Sequence, residues 1–209
     1  MLDILQNIRE EKIISIIRCK NANDLEGVID ALFEGGIRLV EITMNTPNAL
    51  QGIEMIQKKY PDMLVGAGTV LDEETARLAI LSGARFLLAP TLDEGSIRMA
   101  NRYSIPMIPG VLTPTEILKA SEAGAQVVKV FPIRPFGPQY IKDIKGPLPH
   151  ANIIPVGGVN IENAKEYLDS GSFAVGIGTP LVNDQLIEQK NYNEIYNRAK
   201  RLIESIKQR

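Results

Sequence analysis

The run Val127-Val128-Lys129-Val130-Phe131-Pro132 sets one lysine inside an otherwise apolar, mostly β-branched stretch. Such a stretch reads as a buried strand of a parallel sheet. Alternation puts Val127, Lys129 and Phe131 on one face and Val128 and Val130 on the other. An ammonium buried there is costly unless it is paired or gives up its proton. A desolvated, neutral amine is a nucleophile suited to Schiff-base chemistry with a carbonyl compound. A structural lysine paired with a carboxylate is the competing reading, and the stretch by itself supports both.

The carboxylate that serves either reading is Glu41. It lies in Leu39-Val40-Glu41-Ile42-Thr43-Met44, sharing a face with Thr43, with Asn45 just beyond and Val40 and Ile42 turned the other way. Two more apolar runs finish on polar residues. Residues 13–18 end on Arg18, and residues 64–70 carry Val65, Ala67 and Thr69 on one face. If the polar face of each strand lines a common interior, Arg18, Glu41, Thr69 and Lys129 converge near one mouth. A buried Glu41–Lys129 ion pair without chemistry is the plain alternative. Four polar residues ending separate strands argue for function, because apolar side chains fill an interior at lower cost.

These residues need a scaffold, and the chain supplies a repeating one. Eight apolar runs start near residues 13, 39, 64, 86, 106, 127, 153 and 174, each followed by a helix-like segment. Ser82-Gly83-Ala84, Ala123-Gly124-Ala125 and Ser170-Gly171-Ser172 punctuate three of the helices, where glycine supplies a left-handed cap. A β-then-α period of about two dozen residues is the mark of a parallel α/β fold. Eight units predict a (β/α)₈ TIM barrel with an extra N-terminal helix, a single domain over residues 1–209. An open doubly wound sheet is the alternative.

Composition bounds the partners. Apolar residues make up 44% of the 209, charged residues 23%, and 23 basic against 25 acidic side chains leave a net charge of −2. That balance carries no basic excess for nucleic acid and no signature of disorder. No apolar run approaches membrane-spanning length. The first segment, residues 1–12, is charged and amphipathic, with no signal-peptide core, so the cytoplasm is the default location. The single cysteine, Cys19, rules out an internal disulfide. The single histidine, His150, lies in a proline-rich loop, so the usual histidine metal sites are not expected.

The last two units carry a different signal. Residues 155–160 and 176–181 are glycine-rich strand-to-helix turns, at the place where barrels build phosphate sites from backbone N–H groups and helix N-termini. Gly157, Gly158, Gly178 and Thr179 are the candidates. Tight turns need glycine in any case, which is the bland reading. Residues 66–70 are glycine-rich too, but lack the G-x-G-x-x-G dinucleotide pattern.

Taken together, EITMNTP (41–47), VGAGTV (65–70), PGVLTPTE (109–116), VKVFP (128–132), FGPQYIK (136–142), PVGGV (155–159) and GIGTPL (176–181) resemble the 2-keto-3-deoxy-6-phosphogluconate (KDPG)/4-hydroxy-2-oxoglutarate (KHG) aldolase family, in order over essentially the whole chain. The resemblance implies a class I aldolase, a homotrimeric (β/α)₈ barrel that cleaves a phosphorylated 2-keto-3-deoxy sugar acid to pyruvate and glyceraldehyde 3-phosphate. It needs no cofactor and no metal, because an iminium is the electron sink. By matching positions Lys129 is the Schiff-base lysine and Glu41 the acid/base. Thr69 lies beside the pyruvyl group, Pro90 and Phe131 shape the pocket, and Gly157, Gly158, Gly178 and Thr179 hold the phosphate.

Two departures matter. Many members carry an arginine after the catalytic glutamate where this chain has Asn45, and Arg18 matches an arginine used when that one is missing. Members preferring the gluconate substrate often have threonine before the Gly-Gly pair, where this chain has Val156, so the galactonate-configured substrate stays open. The rival functions are a phosphosugar isomerase or epimerase using Glu41 without covalent chemistry, and a non-catalytic phosphometabolite-binding barrel.

Overall fold

Strand and helix alternate along the chain as the punctuation predicts. The computed structural model describes residues 1–207. Its strands are β1 (Ile13–Ile17), β2 (Leu39–Thr43), β3 (Leu64–Gly68), β4 (Leu87–Leu88), β5 (Met107–Ile108), β6 (Gly110–Val111), β7 (Val128–Val130), β8 (Ile153–Pro155) and β9 (Val175–Ile177). Its helices are α1 (Leu2–Glu11), α2 (Leu25–Glu34), α3 (Ala49–Lys59), α4 (Glu73–Leu81), α5 (Glu94–Arg102), α6 (Pro114–Glu122), α7 (Gln139–Lys145), α8 (Ala164–Asp169), α9 (Asp184–Glu188) and α10 (Tyr192–Lys207).

Side chains set the helix ends. Asp72 and Asp93 accept from the backbone N–H of Thr75 and Ser96 at the starts of α4 and α5. Thr113 and Glu116 form a reciprocal capping box around Pro114 at the start of α6. Gly83, Gly124 and Gly171 follow α4, α6 and α8 with φ of 97°, 102° and 95°, so each supplies the left-handed cap expected of it. Among the described residues no helix is long and apolar enough to cross a membrane.

All strand pairs are parallel. One sheet runs β5-β4-β3-β2-β1-β9 and the other β6-β7-β8. The fifth expected strand is broken into β5 and β6 at Pro109, which has no N–H to give to a ladder. At the other join, Val156 just past β8 bridges Gly176 of β9 in parallel.

The two sides of this curled sheet carry separate apolar clusters. Inside, Ile14, Leu39, Phe86, Leu88, Ile108, Val127, Ile154, Val156 and Ala174 pack with Ile4, Leu5 and Ile8 of α1. The extra N-terminal helix therefore plugs the interior at the end opposite the strand carboxyl termini. Outside, residues such as Ile17, Val40, Ile42, Val65, Ala67, Val128 and Val130 pack under the helices in a larger cluster.

That division corrects one expectation. Val65 and Ala67 face the helices, so the inward positions of β3 are Gly66 and Gly68. Thr69 does not continue the strand: its φ is 59°, in the left-handed region. The reason is space. A Cβ on Gly66 would overlap the Phe86 ring, and one on Gly68 would overlap Glu41 Oε1. A glycine has no side chain with which to announce its face, and polar Thr69 outweighed it in the pattern.

Candidate active site

Parallel register sets the levels inside the sheet. Glu41 lies beside Ile16 on one flank and Gly66 on the other, while Lys129 lies beside Gly110 and Ile154. Both side chains are inward and nearly sealed, with exposures of 1% for Glu41 and 6% for Lys129. Glu41 Oε2 has no hydrogen-bond partner. Burial pushes the Glu41 carboxyl above the usual carboxylate range, and the charges of Lys129 and Arg18 pull the other way. Glu41, Lys129 and Arg18 thus share one electrostatic environment, as their positions at strand ends predict.

The backbone around the lysine is tightly held. Lys129 N–H donates to Pro109 O at 2.8 Å, and Phe131 N–H donates to Val111 O at 3.1 Å. Gly110 approaches the Pro90 carbonyl so closely that no Cβ fits there. Lys129 Nζ stands 5.1 Å from the centroid of the Phe131 ring, and that ring is 36% exposed at the mouth. Phe131 lines the cavity at the mouth, whereas Lys129 and Glu41 lie below it and are not among its lining residues.

That cavity, of about 300 Å³, is lined by Ile16, Phe131, Val156, Gly157, Gly158, Gly178 and Thr179, with Arg134 and Asn160 at its edge. All four residues expected to hold phosphate therefore line one space. Gly157 (φ 79°) and Gly158 (φ 138°) adopt conformations that side chains disfavour. A Cβ on Gly157 would come within 2.8 Å of the Phe131 ring, and one on Gly158 within 2.7 Å of Arg134 Cα. These glycines are demanded by close approach as well as by the turn. Helix N-termini contribute less than expected, because α8 and α9 are short and begin only at Ala164 and Asp184. The cradle is built from the turns themselves.

Arg18 lines an adjoining cavity of about 470 Å³ that shares Ile16, Gly178 and Thr179 with the first. Its guanidinium is exposed. Asp184, the one acid in that lining, is already paired with Lys20 at 2.9 Å. A small hydroxyl network holds the strand end beneath Arg18. Thr43 Oγ1 donates to Ile17 O at 3.2 Å and lies 3.3 Å from Thr46 Oγ1, which accepts from Cys19 N–H at 3.3 Å. Burial, with Asp24 and Asp184 adding to it, pushes the Cys19 thiol up to about 11, so it stays protonated and is no rival nucleophile.

Thr69, Asn45 and Pro90 line neither cavity. Thr69 and Pro90 are half-buried near the strand ends, and Asn45 is exposed on the turn after β2. Val156 is 3% exposed and packs into the inner apolar cluster. Sequence reasoning missed Arg134, Thr46 and Gly68. The first sits in a stretch legible only as a proline-rich connection, and nothing local indicates that its backbone packs against a turn from the next unit.

Chemistry-bearing side chains at the carboxyl ends of a curled parallel sheet define a TIM-like α/β enzyme. Residues 4–198 match the family model described as KDPG and KHG aldolase. The chain belongs to that family, and membership makes it a lyase. It is 34% identical to the 2-dehydro-3-deoxy-phosphogluconate aldolase of Haemophilus influenzae over 98% of this chain and 97% of that protein. To the 2-dehydro-3-deoxy-6-phosphogalactonate aldolase of Escherichia coli it is 37% identical, over 81% of this chain and 83% of that one. A crystal structure of KDPG aldolase from Legionella pneumophila, with pyruvate captured at low pH as a covalent carbinolamine intermediate, matches with a TM-score of 0.86. It is 31% identical, covering 92% of this chain and 94% of that one.

Proposed function

We propose that this protein is a class I aldolase that cleaves 2-keto-3-deoxy-6-phosphogluconate to pyruvate and glyceraldehyde 3-phosphate, with 4-hydroxy-2-oxoglutarate as a second substrate. The observation that carries the reading is the burial of Lys129 and Glu41 on the inner face, with Lys129 Nζ 5.1 Å from the ring of Phe131, which itself lines the cavity at the mouth. A carboxyl left without a partner beside a buried amine suits proton transfer better than an inert ion pair.

The steps follow from these groups. The unprotonated amine of Lys129 attacks the C2 ketone to give a carbinolamine. The Glu41 carboxyl, directly or through one water, protonates its hydroxyl, which leaves as water, so an iminium forms and Glu41 is left as carboxylate. Glu41 carboxylate takes the C4 hydroxyl proton, directly or through one water. As the C4 carbonyl forms, the electrons of the C3–C4 bond flow into the iminium, giving an enamine and free aldehyde. Protonation at C3 restores the iminium, and water releases pyruvate and the lysine. The glycine turns at Gly157, Gly158, Gly178 and Thr179 hold the phosphate, and Phe131 and Val156 wall the same cavity. Thr69, Asn45 and Pro90, which line neither cavity, are assigned to the substrate by their places at the strand ends.

The two sheets form one (β/α)₈ barrel in a single domain, supported by the Val156–Gly176 bridge and the continuity of β5 and β6 across Pro109. Exposed Leu71, Leu78 and Leu81 around α4 support self-association, and a homotrimer is the assembly inferred. The cytoplasm is the location inferred.

Val156 favours a second reading beside the first. A valine gives no hydrogen bond to a sugar hydroxyl, and a wall that merely contacts a hydroxyl discriminates weakly between epimers. The gluconate- and galactonate-configured substrates are therefore expected to have kcat/KM values within roughly tenfold of each other. The test is pyruvate release from each purified substrate. Absence of pyruvate from both sinks the aldolase reading, and a preference far beyond tenfold sinks the role given to Val156.

Arg18 supplies the carboxylate contact. A guanidinium offers a fork of donors and full charge, which the Asn45 amide cannot match. Arg18→Ala is expected to weaken pyruvate imine formation roughly 10- to 100-fold, the worth of one charge-assisted pair. Arg18→Lys recovers part of it. Because Arg18 also borders Gly178 and Thr179, the contrary outcome is specific: intact imine formation with a raised KM for the phosphorylated aldehyde assigns it to the phosphate instead.

A further inference from the structure

We propose that Arg134 is the counter-charge of the phosphate cradle and sets the preference for a phosphorylated over an unphosphorylated aldehyde; this rests on the aldolase reading above. The cradle is otherwise neutral. Of the residues lining the cavity of about 300 Å³ that contains Gly157, Gly158 and Thr179, Arg134 is the only one with a charged side chain. A phosphate monoester carries close to two negative charges at neutral pH, and backbone amides supply only partial charges against them. A cation facing these turns adds the full charge that the amides lack.

The loop holds Arg134 in place for that role. Ile133 N–H donates to Val156 O at 3.0 Å and Arg134 N–H donates to Gly157 O at 2.9 Å, which extends the pairing of β7 and β8 beyond the strands themselves. Gly158 packs against Arg134 Cα and Cβ, so a side chain there would push the loop away. Phe136 N–H donates back to Ile133 O at 3.0 Å and closes the turn. The backbone of Arg134 is therefore fixed against the two glycines that form the cradle floor, while its side chain is exposed and long enough to swing over it. Among the described residues no carboxylate lies within 4.0 Å of its guanidinium, whereas Arg98, Arg198 and Arg201 are each paired with a glutamate. Its charge is available to a ligand, and its fork matches phosphate oxygens in two-point fashion.

The experiment is aldol addition of pyruvate to glyceraldehyde 3-phosphate and to glyceraldehyde, comparing wild type with Arg134→Ala and Arg134→Lys. In Arg134→Ala the ratio of kcat/KM for the phosphorylated over the unphosphorylated aldehyde is expected to fall roughly 10- to 100-fold, with part restored in Arg134→Lys. Inhibition by inorganic phosphate weakens in parallel, and its dependence on salt flattens as a charge contact is lost. An unchanged ratio overturns the proposal, as does an equal loss for both aldehydes, which means a displaced loop rather than a missing charge. Borohydride trapping of pyruvate on Lys129 in each preparation separates this result from the function itself. If wild type traps no pyruvate, the aldolase reading falls; if both proteins trap it and the ratio holds, only Arg134 loses its role.

Discussion

Borohydride reduction in the presence of pyruvate is expected to add a lactyl-sized mass to Lys129 and to no other lysine. Among the described residues Lys129 is the one lysine within a strand, 6% exposed, with its Nζ 5.1 Å from the centroid of the Phe131 ring. The other lysines lie on helices or loops and are solvent-accessible, and three of them, Lys20, Lys59 and Lys165, are paired with carboxylates. Lys129→Ala removes the electron sink as well as the nucleophile, so turnover is expected to fall by roughly 10⁴-fold or more, the order lost when enzymes are stripped of a covalent nucleophile. Lys129→Arg keeps a cation in place and separates the two readings of this residue. A purely structural lysine is largely replaced by arginine, whereas a Schiff-base lysine is not. An adduct on a different lysine, or appreciable turnover by Lys129→Arg, removes the assignment.

Glu41→Gln is expected to lower turnover by about 10² to 10⁴-fold while making the protein more stable near neutral pH. The loss follows from removing a proton acceptor in general acid–base catalysis. The gain follows from burial. Glu41 is sealed with Oε2 unpartnered, and burial raises its carboxyl above the usual range. A carboxyl whose proton affinity is higher folded than unfolded favours the fold at pH below its ordinary range, and that contribution is lost as pH rises through the raised value. Glutamine removes the titration. The variant should therefore exceed the parent by about 1–3 kcal/mol above the raised value, or roughly 2–12 °C in Tm for a chain of this size. The advantage should shrink to nothing at acid pH. The same group sets the acid limb of the parent's rate profile, which should lie above the ordinary carboxylate range and disappear in the variant. A Tm difference that is constant with pH would falsify the electrostatic account, even if turnover falls as stated.

The two expectations share a cause. An unpaired carboxyl held dry beside Gly68 is unfavourable for folding and useful for proton transfer. Gly68 permits it, since any larger residue would displace the carboxyl from its position.

Much of this arrangement is legible from residue order alone, because the signals are local. The alternation of apolar runs with capped helical segments carries the eight units, and Gly83, Gly124 and Gly171 punctuate them through a backbone preference that needs no tertiary partner. A lysine inside a β-branched run and a glutamate inside another single out the buried pair proposed as reactive, since burial of either without purpose is costly. Other features depend on contacts between distant units, and only the tertiary structure decides them. The inner face of β3 belongs to Gly66 and Gly68 because Phe86 and Glu41 occupy the space before them. The fifth strand breaks at Pro109 because its neighbours pair on either side of a residue without an N–H. Thr46 meets Cys19 across two strands, and Arg134 meets Gly157 across two units. In each case the residue's own neighbours in sequence carry no trace of the partner, because packing brings together groups that the chain separates.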